Sequence, residues 1–190
     1  MKETYKLNEF RVNNGYNVYF SGTGIDIGCG DDILSKSIFK NIVEIIPYDI
    51  QIDKNFDGKF CEEFKDNQFD FVYSSHCLEH IDDPYIAFSN WIRICKSNGY
   101  IIFSVPHELF YEKCKWPSVY NGDHKTSWTC EFKSNLPKSI NVHDFVFSFK
   151  DRVQIIECKT ILQNFDFLRF NEDQTRESAI CQIDCIVKKL

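Results

Sequence analysis

Between residues 22 and 105 the chain alternates short apolar runs with amphipathic or turn-forming stretches, and this constrains the fold more than anything else in the sequence. Gly22-Thr23-Gly24-Ile25-Asp26-Ile27-Gly28 reads as a buried strand running into a glycine turn. Asp31 to Phe39 follows with acidic residues first and apolar ones at helical spacing, which predicts a helix. Ile42 to Tyr48 is a second strand closing on Asp49, and Phe69 to Tyr73, aromatic and β-branched, is another. Asp83-Pro84 has the form of an N-cap followed by proline at N1. Phe88, Trp91, Ile92 and Cys95 then recur on one helical face before Asn98-Gly99. Tyr100 to Val105 is a fully buried strand. Alternation in this order predicts a mostly parallel sheet with helices on both faces. Val153 to Leu162 and Ala179 to Val187 read as two more strands, joined across a polar turn at Asn171 to Gln174 without a helix, so they should pair antiparallel. The expected fold class is α/β: a Rossmann-like, mostly parallel sheet flanked by helices, with a C-terminal antiparallel strand pair.

The 190 residues contain no internal repeat, low-complexity tract or Pro/Gly/Ser linker, so they read as one domain, with 1–21 as a lead-in and 106–139 as a long loop. A chain of this size buries roughly 70% of its unfolded surface and needs neither disulfides nor a structural metal. The nine cysteines are scattered singly with no Cys-x-x-Cys pair, so they read as reduced thiols. A net charge of −6 supplies no basic face for nucleic acid, and no nucleic-acid partner is expected. No run approaches the ~20 apolar residues of a membrane span, and Met1 to Lys6 lacks the apolar core of a signal peptide. The expectation is a cytoplasmic protein without membrane insertion; the oligomeric state is not legible.

The sharpest local signal is Gly24-Ile25-Asp26-Ile27-Gly28-Cys29-Gly30. Glycines let the backbone approach a ligand, and a following helix N-terminus offers free N–H groups to a polar or anionic cofactor. The plainer alternative is a turn kept for packing. A nicotinamide or flavin site is a rival, but its G-x-G-x-x-G pattern needs glycine at position 33, where Ile33 stands.

With the segments downstream, these residues resemble class I S-adenosylmethionine-dependent methyltransferases, in spacing the type 11 group. Residues 24–30 are similar to the family's first motif. Asp49 in Pro47-Tyr48-Asp49-Ile50 matches the acidic residue that holds the ribose hydroxyls. Phe69 to His80 matches the fourth motif, and Ile94 to Tyr100 the turn before the next strand. The resemblance implies S-adenosyl-L-methionine as cofactor, S-adenosyl-L-homocysteine as product, and cofactor contacts from Asp26, Gly28, Cys29, Gly30, Asp49, Ile50 and Ser74. It departs at Asp32, where the family's glycine run continues. The adenine side around Phe56 to Glu63 is short and ambiguous in register; the Cys61 backbone is the first choice there, with Glu62 or Asp57 nearby.

His76-Cys77-Leu78-Glu79-His80 also matches H-x-x-E-H, a zinc-peptidase signature that needs both imidazoles on one side of a helix. Its setting at the end of a parallel strand argues against that reading, and no metal is expected. His76 should face the substrate, while Glu79 and His80 are as readily structural as functional. In open α/β sheets ligands lie beyond the carboxyl ends of the strands, so the 106–139 loop should cover the acceptor. Tyr111, Trp116, Tyr120 and Lys125 are the candidate substrate contacts, since aromatic faces suit sugars or bases and lysines suit phosphate. A hydroxyl acceptor needs a base, and His124, then His76, are the candidates, with Asp123 and Glu108 as alternatives. The Trp-Pro-Ser and Asp-His-Lys pieces resemble type 11 proteins of surface-polysaccharide gene sets. The expected activity is methyl transfer to an oxygen or nitrogen (or phosphoryl oxygen) of a small polar acceptor, a sugar, nucleotide-sugar or phosphate-bearing precursor. The rival from another class is a catalytically silent cofactor-binding subunit supporting a partner.

Overall fold

The computed structural model describes residues 3–190. The chain runs α1 (Glu3–Asn13), β1 (Gly22–Ile27), β2 (Ile42–Tyr48), β3 (Phe69–Ser75), α2 (Pro84–Ile94), β4 (Cys95–Pro106), β5 (Ser127–Thr129), β6 (Ser139–Asn141), α3 (Val142–Phe147), β7 (Val153–Ile161) and β8 (Gln182–Lys189). Six strands form one sheet in the order β2-β1-β3-β4-β8-β7. The first four are mutually parallel, whereas β8 runs antiparallel to both β4 and β7. This is the α/β architecture expected, with the antiparallel pair at the C-terminal end.

Strand alternation sorts the apolar residues onto two faces. Ile101 and Phe103 of β4 and Cys185 and Val187 of β8 face a large cluster completed by Phe88, Trp91 and Ile92 of α2 and Val142 and Phe145 of α3. Ile102 and Ile186 point the other way, into a cluster with Phe20, Leu34, Phe39, Phe71 and Tyr73. Helix α2 begins as its sequence requires: the Asp83 side chain accepts the Tyr85 and Ile86 N–H groups, and Pro84 occupies the first turn.

Two segments bear on the site. The helix expected over Asp31 to Phe39 does not form; residues 31–41 are turns and irregular backbone. The Asp26 carboxylate accepts the Leu34 N–H at 2.7 Å, and the Ser35 hydroxyl accepts the Ser37 N–H at 3.1 Å. These side chains outcompete helical hydrogen bonds for the backbone, and burial of Leu34 and Phe39 fixes the result. Residues 56–63, ambiguous in register from the sequence, form turns and irregular backbone, and β2 is the sheet edge. The Arg93 guanidinium donates to the carbonyls of Phe60, Cys61 and Phe64, and the Trp91 indole to that of Gly58. The 1–21 lead-in contains α1, and the 106–139 segment contains β5, which pairs with β6.

Candidate active site

The carboxyl ends of β1, β2 and β3 open onto one cavity of about 520 Å³, lined by Gly28, Asp49, Ile50, Gln51, Phe56, His76, Cys77, His80 and Asp123. That volume is typical of a site for a drug-sized ligand. Gly28 follows β1 with φ at +73°, and a Cβ there would lie 2.4 Å from the Cys77 side chain, so only glycine fits. Gly30 also has a positive φ, +53°, but a Cβ there would meet nothing within 4 Å, so its surroundings leave room for a ligand. With no helix following, the turn presents its backbone without a helix dipole behind it.

Asp49 is the pivot of the site. Its Oδ2 accepts the Gly30 N–H at 2.9 Å and its Oδ1 accepts the Gln51 N–H at 2.8 Å, which ties the β1 turn to the β2 turn. The residue is 8% exposed. Each oxygen keeps a second lone pair, so the carboxylate can still accept from a vicinal diol. Phe56 offers an apolar ring in the same cavity. The cavity thus pairs a carboxylate with an aromatic ring, a donor set that fits a ribose and an adenine. The cofactor chemistry expected from the sequence matches the residues present.

A methyltransferase domain model matches residues 19–146, well over half of the chain. The chain belongs to the methyltransferase domain family. Solved structures carry the same fold. A protein of Listeria monocytogenes assigned as an S-adenosylmethionine dependent methyltransferase superposes with a TM-score of 0.65 at 15% identity, covering 98% of both chains. A SAM dependent methyltransferase from Archaeoglobus fulgidus gives 0.55 at 18% identity, covering 96% of this chain and 94% of that one. The N-methyltransferase NodS from Bradyrhizobium japonicum WM9 gives 0.57 at 10% identity, covering 98% and 96%. No curated protein matches by sequence. The chain is therefore an S-adenosylmethionine-dependent methyltransferase of class I, and among its described residues no helix is long and apolar enough to cross a membrane.

Within this methyltransferase several residues sit elsewhere than expected. Asp26 does not line the cavity: it is 1% exposed and holds the Leu34 N–H, so it shapes the turn from beneath. Ser74 is also buried, its hydroxyl donating to the Ile27 carbonyl at 2.9 Å and stitching β3 to β1. The Cys61 backbone is already committed, its N–H to the Asp57 carbonyl and its own carbonyl to Arg93, which leaves nothing for adenine. Cys29 lies beside Gly28 with its thiol pushed up to about 12, chiefly by burial, with the charges of Asp26 and Asp49 adding, so it stays protonated.

The catalytic candidates separate. His76 lines the cavity, in a left-handed backbone conformation (φ 55°) that non-glycine residues seldom adopt. Its Nε2 faces the Gln182 Oε1 at 2.6 Å. His124, the first choice from sequence, does not line the cavity; it is 7% exposed, with its Nδ1 on the Glu112 carboxylate at 2.5 Å. Its ring meets that of His80 edge to face at 4.8 Å between centroids. Tyr111, Trp116, Tyr120 and Lys125 do not line the cavity either. Tyr111 packs on Tyr120 at 5.7 Å, and Lys125 pairs with Asp123 at 3.0 Å, reaching the cavity only through that carboxylate. The alternative base Glu108 is buried, and the Ser127 and Ser139 hydroxyls both donate to its Oε2. Asp123, Gln51, Phe56 and His80 were not among the first-choice site residues. The signal for His80 and Asp123 was present in the His-x-x-Glu-His and Asp-His-Lys motifs, but only the fold brings those motifs together.

Asp26 gives a pH test. Burial, with Asp32 and Asp49 adding to it, pushes its carboxyl up to about 7 against the Leu34 N–H and Arg11. The folded state therefore retains a proton that the unfolded chain releases near pH 4, and this contribution to stability is lost as pH rises from about 4 through about 7. Asp26→Asn keeps an acceptor for Leu34 and is expected to flatten the fall in melting temperature between pH 5 and 8. The upper bound is about 4 kcal/mol, at 1.36 kcal/mol per pH unit. Thermal unfolding at several pH values checks this; a slope equal to that of the parent would refute it.

Proposed function

We propose that the enzyme transfers a methyl group to an oxygen or nitrogen of a small polar acceptor, with sugar, nucleotide-sugar or phosphate-bearing precursors of surface polysaccharide as the class to test first. The observation that carries this reading is the cavity itself: it joins the Asp49 carboxylate to a polar wall of His76, His80 and Asp123. Such a wall suits a polyhydroxylated molecule better than an apolar one. Asp49 holds the ribose diol, Phe56 stacks against the base, and the Gly28–Gly30 turn gives backbone access to the remainder of the cofactor.

S-adenosylmethionine supplies an electrophilic methyl on a sulfonium, so the protein's main task is to hold the acceptor in line with it. His76 orients the acceptor hydroxyl and takes its proton on Nδ1, since Nε2 is the nitrogen engaged by Gln182, and the Glu79 carboxylate 3.4 Å from Nδ1 favours the protonated ring. The negative net charge and the acidic groups at the cavity, Asp49 and Asp123, oppose a nucleic-acid acceptor.

The test is S-adenosylhomocysteine release with a panel of phosphorylated and nucleotide-linked sugars beside apolar phenols and amines. Turnover is expected on the polyhydroxylated set. His76→Ala is expected to lower kcat by about 10²–10⁴-fold while cofactor binding persists. Equal turnover on the apolar set would overturn the acceptor class, and an unchanged kcat in His76→Ala would remove His76 from the chemistry.

A further inference from the structure

Glu79 is the least satisfied polar group beside the cavity. It is 0% exposed, yet neither carboxylate oxygen has a hydrogen-bond partner. An unpaired buried carboxylate costs several kcal/mol and persists only where something compensates it. Three imidazoles surround its Oε1: His76 Nδ1 at 3.4 Å, His80 Nε2 at 3.9 Å and His124 Nε2 at 4.0 Å.

The other nitrogen of each ring decides what these three offer. His124 Nδ1 faces the Glu112 carboxylate at 2.5 Å, and His80 Nδ1 faces the Asp123 carboxylate at 3.2 Å. A carboxylate only accepts, so both Nδ1 atoms carry the proton, and in the neutral ring each Nε2 presents a bare lone pair. His76 donates from Nε2 to the Gln182 Oε1, and its Nδ1 lies 3.4 Å from the Glu79 Oε1. Glu112 is itself fixed by the Ser118 hydroxyl at 2.5 Å. The Nε2 atoms of His80 and His124, each a bare lone pair in the neutral ring, converge with the Glu79 carboxylate on one point, a set of acceptors that a cation would satisfy. Carboxylates and amide oxygens gripping the far nitrogen are the usual outer partners of metal-bound histidines.

The fold builds this cluster deliberately from distant parts of the chain. Glu79 and His80 lie on a short 3-10 turn after β3, and the Lys125 and Thr126 N–H groups both donate to the Glu79 carbonyl, at 2.7 and 3.2 Å. That anchor brings His124 beside the turn. The ligand atoms of Glu79, His80 and His124 lie within 4.8 Å of one another.

We propose that Glu79, His80 and His124 bind a first-row divalent cation of the Zn²⁺ or Co²⁺ type, with its fourth position toward His76 and the cavity. Two imidazoles and one carboxylate suit such ions, and three protein ligands with one open position is the pattern of zinc sites that act on a substrate. This differs from the peptidase reading of His-x-x-Glu-His, because here the glutamate is a ligand rather than a base and one histidine comes from the 106–139 segment. A ligand for the open position is an acceptor hydroxyl or phosphoryl oxygen; that last step rests on the methyltransferase reading, whereas metal uptake does not.

The experiment is Co²⁺ titration of the metal-stripped chain, read by visible absorption and by equilibrium metal content, with Zn²⁺ as competitor. S-adenosylhomocysteine binding is measured on the same sample. One equivalent of Co²⁺ with a visible ligand-field spectrum, displaced by Zn²⁺, is expected. Glu79→Gln and His80→Gln are expected to abolish stoichiometric uptake, and Glu112→Gln to weaken it about 10–100-fold. His80 has a 27% exposed side chain, so its variant stays informative if Glu79→Gln fails to fold. The alternative among the described residues is Cys130, His143 and Cys158, whose ligand atoms also lie within 4.8 Å of one another. A sulfur-to-cobalt charge-transfer band, lost in Cys130→Ser, would move the metal there and overturn the proposal. Absence of uptake in a sample that still binds S-adenosylhomocysteine would overturn it while leaving the methyltransferase reading intact.

Discussion

Asp49→Ala is expected to weaken S-adenosylhomocysteine binding by about 100-fold or more, measured by isothermal titration. Two effects add. The variant removes the carboxylate that can accept both ribose hydroxyls, and charge-assisted hydrogen bonds contribute roughly 1.5–3 kcal/mol each. It also frees the Gly30 and Gln51 N–H groups that the two oxygens now hold, loosening both turns of the cavity. Asp49→Asn separates the two, since its amide oxygen retains one backbone contact while losing the charge. It should fall between parent and alanine variant. Affinity within about threefold of the parent in Asp49→Ala would mean that the ribose is held elsewhere and that Asp49 serves only to join the turns.

The second large effect is on stability. Asp184→Ala is expected to cost about 3–5 kcal/mol, because it strands a guanidinium in the core. Arg11 is 0% exposed and Asp184 3%. Arg11 Nη2 and Nε reach the two Asp184 oxygens at 2.5 and 3.2 Å, and Nη1 donates to the Asn8 Oδ1 at 2.8 Å and the Tyr73 hydroxyl at 3.2 Å. The rings of Phe20 and Tyr73 flank the guanidinium, at 5.7 and 5.2 Å from its carbon. At roughly 2–4 °C per kcal/mol for a chain of this size, the melting temperature should fall by about 6–20 °C. Replacing both partners, as in Arg11→Met with Asp184→Leu, should recover most of the loss, because no charge is then left unpaired. A single-variant loss below about 1 kcal/mol would show that water reaches Arg11.

The same pair explains why α1 escaped notice in the sequence. Periodicity finds a helix by its apolar stripe, but α1 buries Lys6, Asn8 and Arg11 alongside Leu7. Their partners lie at the other end of the chain: Lys6 donates to the carbonyls of Thr175 and Ala179, and Arg11 to Asp184. The turn at 31–41 failed in the opposite sense. Its apolar spacing is helical, but Asp26, eight residues before Leu34, takes a backbone N–H that a helix would have used.

What the sequence determined by itself was local and periodic. Short apolar and aromatic runs marked β1, β3 and β4 as strands, Asp83-Pro84 started α2, and the glycine turn after β1 and the close of β2 before Asp49 were legible from the strand pattern. Only the tertiary structure decided which polar side chains meet. It buried Asp26 and Ser74 beneath the cavity, moved His124 behind its wall, and set Glu79 among three imidazoles from two distant segments. The physical reason is that apolar burial depends on pattern within one element. The state of a buried polar group depends on the single atom opposite it, which belongs to a residue that the sequence leaves far away.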